Sequence, residues 1–239
     1  MKGRMALGYL AVVGIFLLAT YFGSEATTAI AERIPMQRNH VIVIDAGHGG
    51  EDGGAVSVTG EKESNINLAI ALRLRDLMHL MGYQTKMIRD RDVSVYVSGD
   101  TLASKKVSDL RQRVKTVNET ENAVFISIHQ NTFPEEKYSG AHVFYAEDES
   151  AKALAESMQA AFGATINPGS VRSAKKAEGI YLMQHIQKPG ILVECGFLSN
   201  FKEESLLRSK DYQQKICCVM AATLGQFLTD EMEIDIIQK

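Results

Sequence analysis

Apolar and polar positions along this chain switch repeatedly between two periods. Val41-Ile42-Val43-Ile44 is an unbroken β-branched run that leads into Asp45-Ala46-Gly47-His48-Gly49-Gly50. It predicts a strand buried on both faces that stops at a glycine-rich turn able to bend sharply around one imidazole. After an acidic, glycine-rich loop over 51–62 the spacing changes to three and four. Ile66, Ile70, Leu74, Leu77 and Met81 form a helical stripe, with Ser64 or Asn65 placed to cap it and Gly82 to end it. Residues 83–88 read as a second strand, 89–105 as a charged surface loop without periodicity, and 107–120 as a helix. Residues 123–131 form an apolar strand ending in His129, followed by a loop over 132–140. A strand over 141–146, a helix over 149–162, an irregular basic stretch over 167–178, a short strand over 180–183, a strand over 191–196 and a helix over 211–229 complete the pattern. Strands separated by helices predict an α/β fold with a largely parallel sheet.

The two ends stand apart. Lys2 and Arg4 precede an almost uninterrupted apolar run over 5–22, long enough for a marginal membrane span, and positive charge before it favours export of the residues on its C-terminal side. Residues 1–24 are therefore expected to be a signal-anchor, or a signal peptide cut near Ala29-Ile30-Ala31. Residues 25–38 are expected to be a linker, 39–230 one catalytic domain on the extracytoplasmic face of the membrane, and 231–239 a frayed tail.

Composition narrows the class. With 45% hydrophobic residues the chain can bury one good core, and a net charge of −3 with no basic block argues against a nucleic-acid protein. The three cysteines, Cys195, Cys217 and Cys218, are too few and badly spaced for a disulfide framework and read as core or near-core residues. Cys195 beside Glu194 has a rival reading as a nucleophile, but no glycine elbow precedes it.

The chemistry gathers at strand ends. If the strands ending in His48, His129 and Glu194 run parallel, their side chains emerge at one edge, where open α/β sheets place ligands. Glu63 can join them from the loop before the first helix. Two histidines and one carboxylate around zinc, with a fourth position left to water, suit hydrolysis, and the spare carboxylate can then carry the water's proton. The residues alone leave open which of Glu63 and Glu194 is ligand and which is base, with Asp45 and Glu51 as substitutes for Glu63. His142 is a candidate substrate contact, Arg89, Arg111 and Arg113 can reach a substrate carboxylate, and His40, His79 and His185 have no partner that spacing reveals.

Val-Ile-Asp-Ala-Gly-His48-Gly-Gly, Glu63 before Ser64-Asn65, Ser-Ile-His129-Gln-Asn and Leu-Val-Glu194-Cys-Gly-Phe-Leu-Ser-Asn together resemble the zinc-dependent N-acetylmuramoyl-L-alanine amidases. The resemblance implies a single three-layer α/β domain with a mixed, mostly parallel six-stranded sheet. It also implies one Zn2+ held by His48, Glu63 and His129, and Glu194 as the catalytic glutamate. The implied substrate is peptidoglycan, cut at the amide between muramic acid and L-alanine. The stretches Asp109-Leu-Arg-Gln-Arg-Val-Lys-Thr-Val-Asn-Glu119 and Tyr138-Ser-Gly-Ala-His-Val-Phe-Tyr145 are most similar to the spore-cortex members. Those members imply action beside a peptidoglycan deacetylase that makes muramic-δ-lactam for germination, with a regulatory lipoprotein as a further partner. A zinc peptidase acting within the stem peptide and a non-catalytic wall-binding module are the alternatives.

Overall fold

The computed structural model describes residues 40–237, with side chains to residue 230. The expected membrane segment and linker lie outside the described residues. Among those described, no helix is long and apolar enough to cross a membrane. The described residues form twelve elements in order: β1 (Val41–Ala46), α1 (Glu63–Leu80), β2 (Gln84–Met87), α2 (Leu102–Asn118), β3 (Ala123–Asn131), β4 (His142–Tyr145), α3 (Glu149–Thr165), β5 (Lys175–Lys176), α4 (Tyr181–His185), β6 (Gly190–Phe197), α5 (Phe201–Arg208) and α6 (Lys210–Ile237).

The strands form one six-stranded sheet in the order β2-β1-β3-β6-β4-β5. β2, β1, β3 and β6 are mutually parallel, β4 runs antiparallel to β6, and β5 is parallel to β4. Alternation along each strand divides its side chains between two layers. Ile42, Ile44, Ile126, Ile128 and Val193 face α1, α3 and α6, while Val43, Phe125 and Leu192 face α2 and α4. Each of these side chains is at most 3% exposed, and burying one stabilises the fold by roughly 1.5–3 kcal/mol. The expected three-layer, mostly parallel architecture is the one observed.

Several local expectations are corrected. α1 starts at Glu63 with Lys62 at the N-cap and no side-chain cap, because carbonyls of the preceding loop already accept its N–H groups: Glu63 N donates to Ala55 O at 2.9 Å and Ser64 N to Gly53 O at 3.1 Å. Its buried stripe takes Met78 rather than Leu77, and Met81 is 39% exposed. α2 begins at Leu102, earlier than expected, since Thr101 and Ser104 cap each other reciprocally. Residues 180–183 are not a strand. Leu182 and Met183 enter the core from the short helix α4, and the sixth strand is the Lys175–Lys176 pair on the edge beside β4. α5 was not expected, and α6 is helical through Ile237, where a frayed tail was expected. Cys195 and Cys217 are buried free thiols, but Cys218 is exposed, on the outer side of α6.

Candidate metal centre

The chain leaves β1 through a turn that only a few residue types can make. His48 itself has a φ of 61°, one of two non-glycine residues in the left-handed region among those described, followed by Gly49 at 132° and Gly50 at 60°. A side chain in that region costs of order 1–3 kcal/mol and persists where surrounding contacts dictate it. Two buried arginines supply such contacts. Arg89 donates to the carbonyls of Ala46 (2.7 Å), Gly47 (3.0 Å) and Ser64 (2.9 Å). Arg113 donates to His48 O at 2.8 Å and Ala46 O at 3.2 Å, and pairs with Asp45 and with Asp109. The loop after β2 adds Ser94 Oγ to Gly49 O at 2.7 Å and Asp92 to Gly50 N at 2.8 Å. Arg89 and Arg113 are therefore braces beneath the turn, not substrate contacts, while Arg111 is exposed.

Glu63, Asp45 and Glu51 are sorted by the fold. Asp45 points to the α2 side, buried against Arg113 and Ser127 Oγ (2.8 Å), and Glu51 is an exposed partner of Lys105. Glu63 reaches the histidines. Its Oε2 lies 3.2 Å from His48 Nε2 and its Oε1 2.9 Å from His129 Nδ1. The ligand atoms of His48, Glu63 and His129 all lie within 4.8 Å of one another. Glycine is required on both sides of this cluster: a Cβ on Gly47 would sit 2.2 Å from His129 Nε2, and one on Gly54 2.5 Å from Glu63 Oε2.

Glu194 arrives from β6. In the sheet register it sits directly across from His129 on β3 and from His142 on β4, so the three side chains share one face. Its Oε2 is buried and has no hydrogen-bond partner. A β-bulge between His129 and Asn131 then shifts the β3–β6 register. Cys195, next along β6, packs into the core on the opposite face, and burial pushes its thiol well up, which removes the nucleophile reading. His142 is buried too, its Nε2 3.1 Å from Ser173 O, so it is not free to meet a substrate.

The electrostatics follow from this crowding. Burial opposes the charged form of Glu63, but hydrogen bonds from His129 and His48 outweigh it and hold the carboxyl below the usual range. Burial also works against a charged His48, yet its hydrogen bonds to Asp52 and Glu63 raise it to about 9. Glu194 goes the other way: burial pushes it up to about 7, with the charge of His129 opposing and that of Glu63 adding to the rise.

Sequence reasoning missed the residues that orient this cluster. Asp52 Oδ2 lies 2.9 Å from His48 Nδ1, so the imidazole turns its Nε2 inward. Asn67 donates to Glu63 Oε1 at 3.1 Å, and the backbone N–H groups of Gln130 (3.1 Å) and Ala55 (3.0 Å) donate to the two Glu63 oxygens. Asp52 lies four residues after His48 in a turn and Asn67 one helical turn after Glu63, spacings that a search for second partners could have used.

A two-histidine, one-carboxylate cluster beside a glutamate whose buried Oε2 has no hydrogen-bond partner, at the end of parallel strands, has the layout of a metallohydrolase. Residues 42–225 match the family model of N-acetylmuramoyl-L-alanine amidase, and the chain belongs to that family of cell-wall enzymes. It is 39% identical over 199 residues to the germination-specific N-acetylmuramoyl-L-alanine amidase of Bacillus subtilis (strain 168), a match that spans 80% of this chain and 81% of that one. Among solved structures, the CwlD amidase from Clostridioides difficile in complex with the GerS lipoprotein matches with a TM-score of 0.76 at 35% identity, over 79% of this chain and 98% of that one. The catalytic domain of CwlV from Bacillus (Paenibacillus) polymyxa var. colistinus matches with a TM-score of 0.66 at 28% identity, over 80% and 98%.

Proposed function

We propose that this chain is a zinc-dependent amidase that removes stem peptides from muramic acid in spore-cortex peptidoglycan, ahead of a deacetylase that closes muramic-δ-lactam. The carrying observation is the convergence of His48, Glu63 and His129 within 4.8 Å beside the partnerless Oε2 of Glu194. The donor set fits a catalytic zinc site, two nitrogens and one carboxylate. Gly47 and Gly54 lack the Cβ that would collide with His129 and Glu63, so the candidate ligands can pack directly against the backbone on both sides of the site. The likeness to the germination-specific relative supports the cortex role, and the relative solved with a lipoprotein supports a lipoprotein partner. The apolar run over 5–22 is the proposed anchor that keeps the domain on the outer face of the membrane.

The roles divide by environment. His48 offers Nε2 because Asp52 holds Nδ1, His129 offers Nδ1, and Glu63 is oriented by Asn67, Ala55 and Gln130. A zinc ion bound by them supplies Lewis acidity that polarises the scissile carbonyl and acidifies a water. Glu194 takes a proton from the attacking water and delivers it to the leaving nitrogen of L-alanine. The carbon–nitrogen bond breaks, the water's oxygen joins the lactyl carbonyl carbon, and the products are a lactyl carboxylate and a free peptide amine. A carboxyl whose pKa lies near neutrality is suited to both halves of that transfer.

The test uses the full-length chain purified in detergent, with bound zinc measured by elemental mass spectrometry and products by mass spectrometry of digested peptidoglycan. Glu194→Gln is expected to keep its zinc and lose about 10²–10⁴-fold in kcat, and the wild type to release whole stem peptides. Full activity in the variant removes Glu194 as the proton carrier. Release of shortened peptides with muramic acid still substituted would make the protein a peptidase.

A further inference from the structure

Beside the catalytic edge lies an aromatic surface that the proposed chemistry does not use. Phe197 on β6 pairs in register with Asn131 on β3, just past the Glu194–His129 pair. The Tyr138 ring stacks on it with centroids 6.2 Å apart at 28°, and Phe133 meets Tyr138 edge to face at 4.7 Å. The Arg172 guanidinium lies 5.3 Å from the Phe197 ring, and the neighbouring Ser173 carbonyl accepts from His142, the cross-strand partner of Glu194. The rings are thus continuous with the candidate centre through one strand pair and one short segment.

Phe133 is 45% exposed and Tyr138 36%, in a loop whose residues 132–139 are all exposed. Exposed loops are ordinarily loose. This one is pinned along its length. Ser199 Oγ accepts from Phe133 N at 3.0 Å, Asn200 donates to the carbonyls of Glu136 (2.8 Å) and Tyr138 (3.3 Å), Arg172 donates to Ser139 O at 3.1 Å, and Glu203 accepts from Gly140 N at 2.8 Å. Two large rings are therefore presented to water on a preorganised frame, which lowers the entropy cost of binding something against them.

We propose that Phe133 and Tyr138, backed by Phe197 and Arg172, form a saccharide wall that seats an N-acetylhexosamine ring of the glycan strand next to the scissile amide. The identity of that sugar rests on the amidase reading above. The chemistry favours a sugar over a protein partner. Thr132, Glu135, Glu136, Lys137 and Ser139 surround the rings with polar groups, and two part-exposed rings make a patch far smaller than the ~800 Å² a stable protein interface takes from each partner. A pyranose has an apolar face of axial C–H groups that matches an aromatic ring, and hydroxyl and acetamido groups at its rim that match such a polar border.

Two experiments on the full-length chain in detergent test this. The first needs no turnover: saturation-transfer NMR from aromatic protons to a peptide-free tetrasaccharide of alternating N-acetylglucosamine and N-acetylmuramic acid. Signal on the sugar ring protons is expected in the wild type and in Tyr138→Phe, and its loss in Phe133→Ala and in Tyr138→Ala, with melting temperature and zinc content unchanged. The second measures kinetics on muropeptides of increasing glycan length. Phe133→Ala is expected to raise KM about tenfold on tetrasaccharide substrates and less on single-sugar ones, with kcat retained. A glycan signal that survives the Phe133→Ala/Tyr138→Ala double variant, or a KM change independent of glycan length, overturns the proposal. So does an undiminished glycan signal combined with lost binding of a lipoprotein partner, which would assign the surface to a protein. Because the NMR arm does not depend on cleavage, failure of the amidase reading and failure of the saccharide wall are told apart.

Discussion

Arg113 is the residue whose replacement best separates bracing from substrate binding. It is 3% exposed and donates to Asp45, Asp109 and the carbonyls of Ala46 and His48, while Asp45 is itself 1% exposed. In Arg113→Met the apolar chain still fills much of the space, but Asp45 keeps only Ser127 as a side-chain hydrogen-bond partner. Removing one member of a buried pair costs about 3–5 kcal/mol, mostly the penalty of the charge left behind. Against a total stability of roughly 5–15 kcal/mol that is a large share. In a domain of this size it corresponds to a fall in Tm of roughly 6–20 °C by differential scanning calorimetry. The sign with pH follows from Asp45. Burial raises its pKa, but Arg113, His129 and Ser127 outweigh that and hold it below the ordinary value of 3.8. The wild type therefore has this stabilisation in full above that value and loses it as pH falls through the lowered pKa, so the gap between wild type and Arg113→Met is widest at neutral pH and narrows in acid. Adding Asp45→Asn to Arg113→Met neutralises the stranded carboxylate and should recover part of the loss. A variant that melts within a degree or two of wild type yet loses activity would refute the bracing argument and return Arg113 to the substrate.

Three further outcomes are expected. Gly47→Ala places a methyl 2.2 Å from His129 Nε2, so the purified variant should carry well under half the wild-type zinc by elemental mass spectrometry, whatever its activity. Asp52→Asn weakens the hold on His48 Nδ1 and should lower zinc affinity about 10–100-fold in a competition titration with a chelating dye. His48 is raised to about 9 in the metal-free protein. Its contribution to metal-free stability is thus complete below the unfolded value of 6.5 and is lost as pH rises through about 9, whereas zinc binding must displace that proton. Calorimetric titration near pH 7 in buffers of different ionisation enthalpy should show protons released on binding, and the release should fade above about pH 9.

Much of the molecule is readable from its sequence because a few residues have only one physical explanation. Val41-Ile42-Val43-Ile44 can be buried on both faces only inside a covered sheet, and histidines at the ends of two such strands meet only if the strands are parallel. Periodicity fails where an element is too short to show a period. Leu182 and Met183 look equally apolar in a strand or in the five residues of α4, and β5 is two lysines long. α5 left a legible mark, Asn200 ahead of Glu203 and Glu204, that stripe-based reading passed over because its only large buried apolar side chain is Leu207. The Asp109–Arg113 spacing of four on one helix was legible as a pair, but it could not separate Arg113 from a substrate-binding arginine, since the buried partner Asp45 is joined to it only by folding.

α5 has one consequence beyond packing. Its adjacent carboxylates point in different directions: Glu203 accepts from Gly140 N and Phe197 N, and Glu204 accepts from Ser57 and Thr59. A single eight-residue helix therefore ties the 132–140 loop and the end of β6 to the loop that leads from His48 to Glu63. Shortening either arm by one methylene, Glu203→Asp or Glu204→Asp, would loosen one of these two segments and leave the other held, so each can be retuned without touching His48, Glu63, His129 or Glu194.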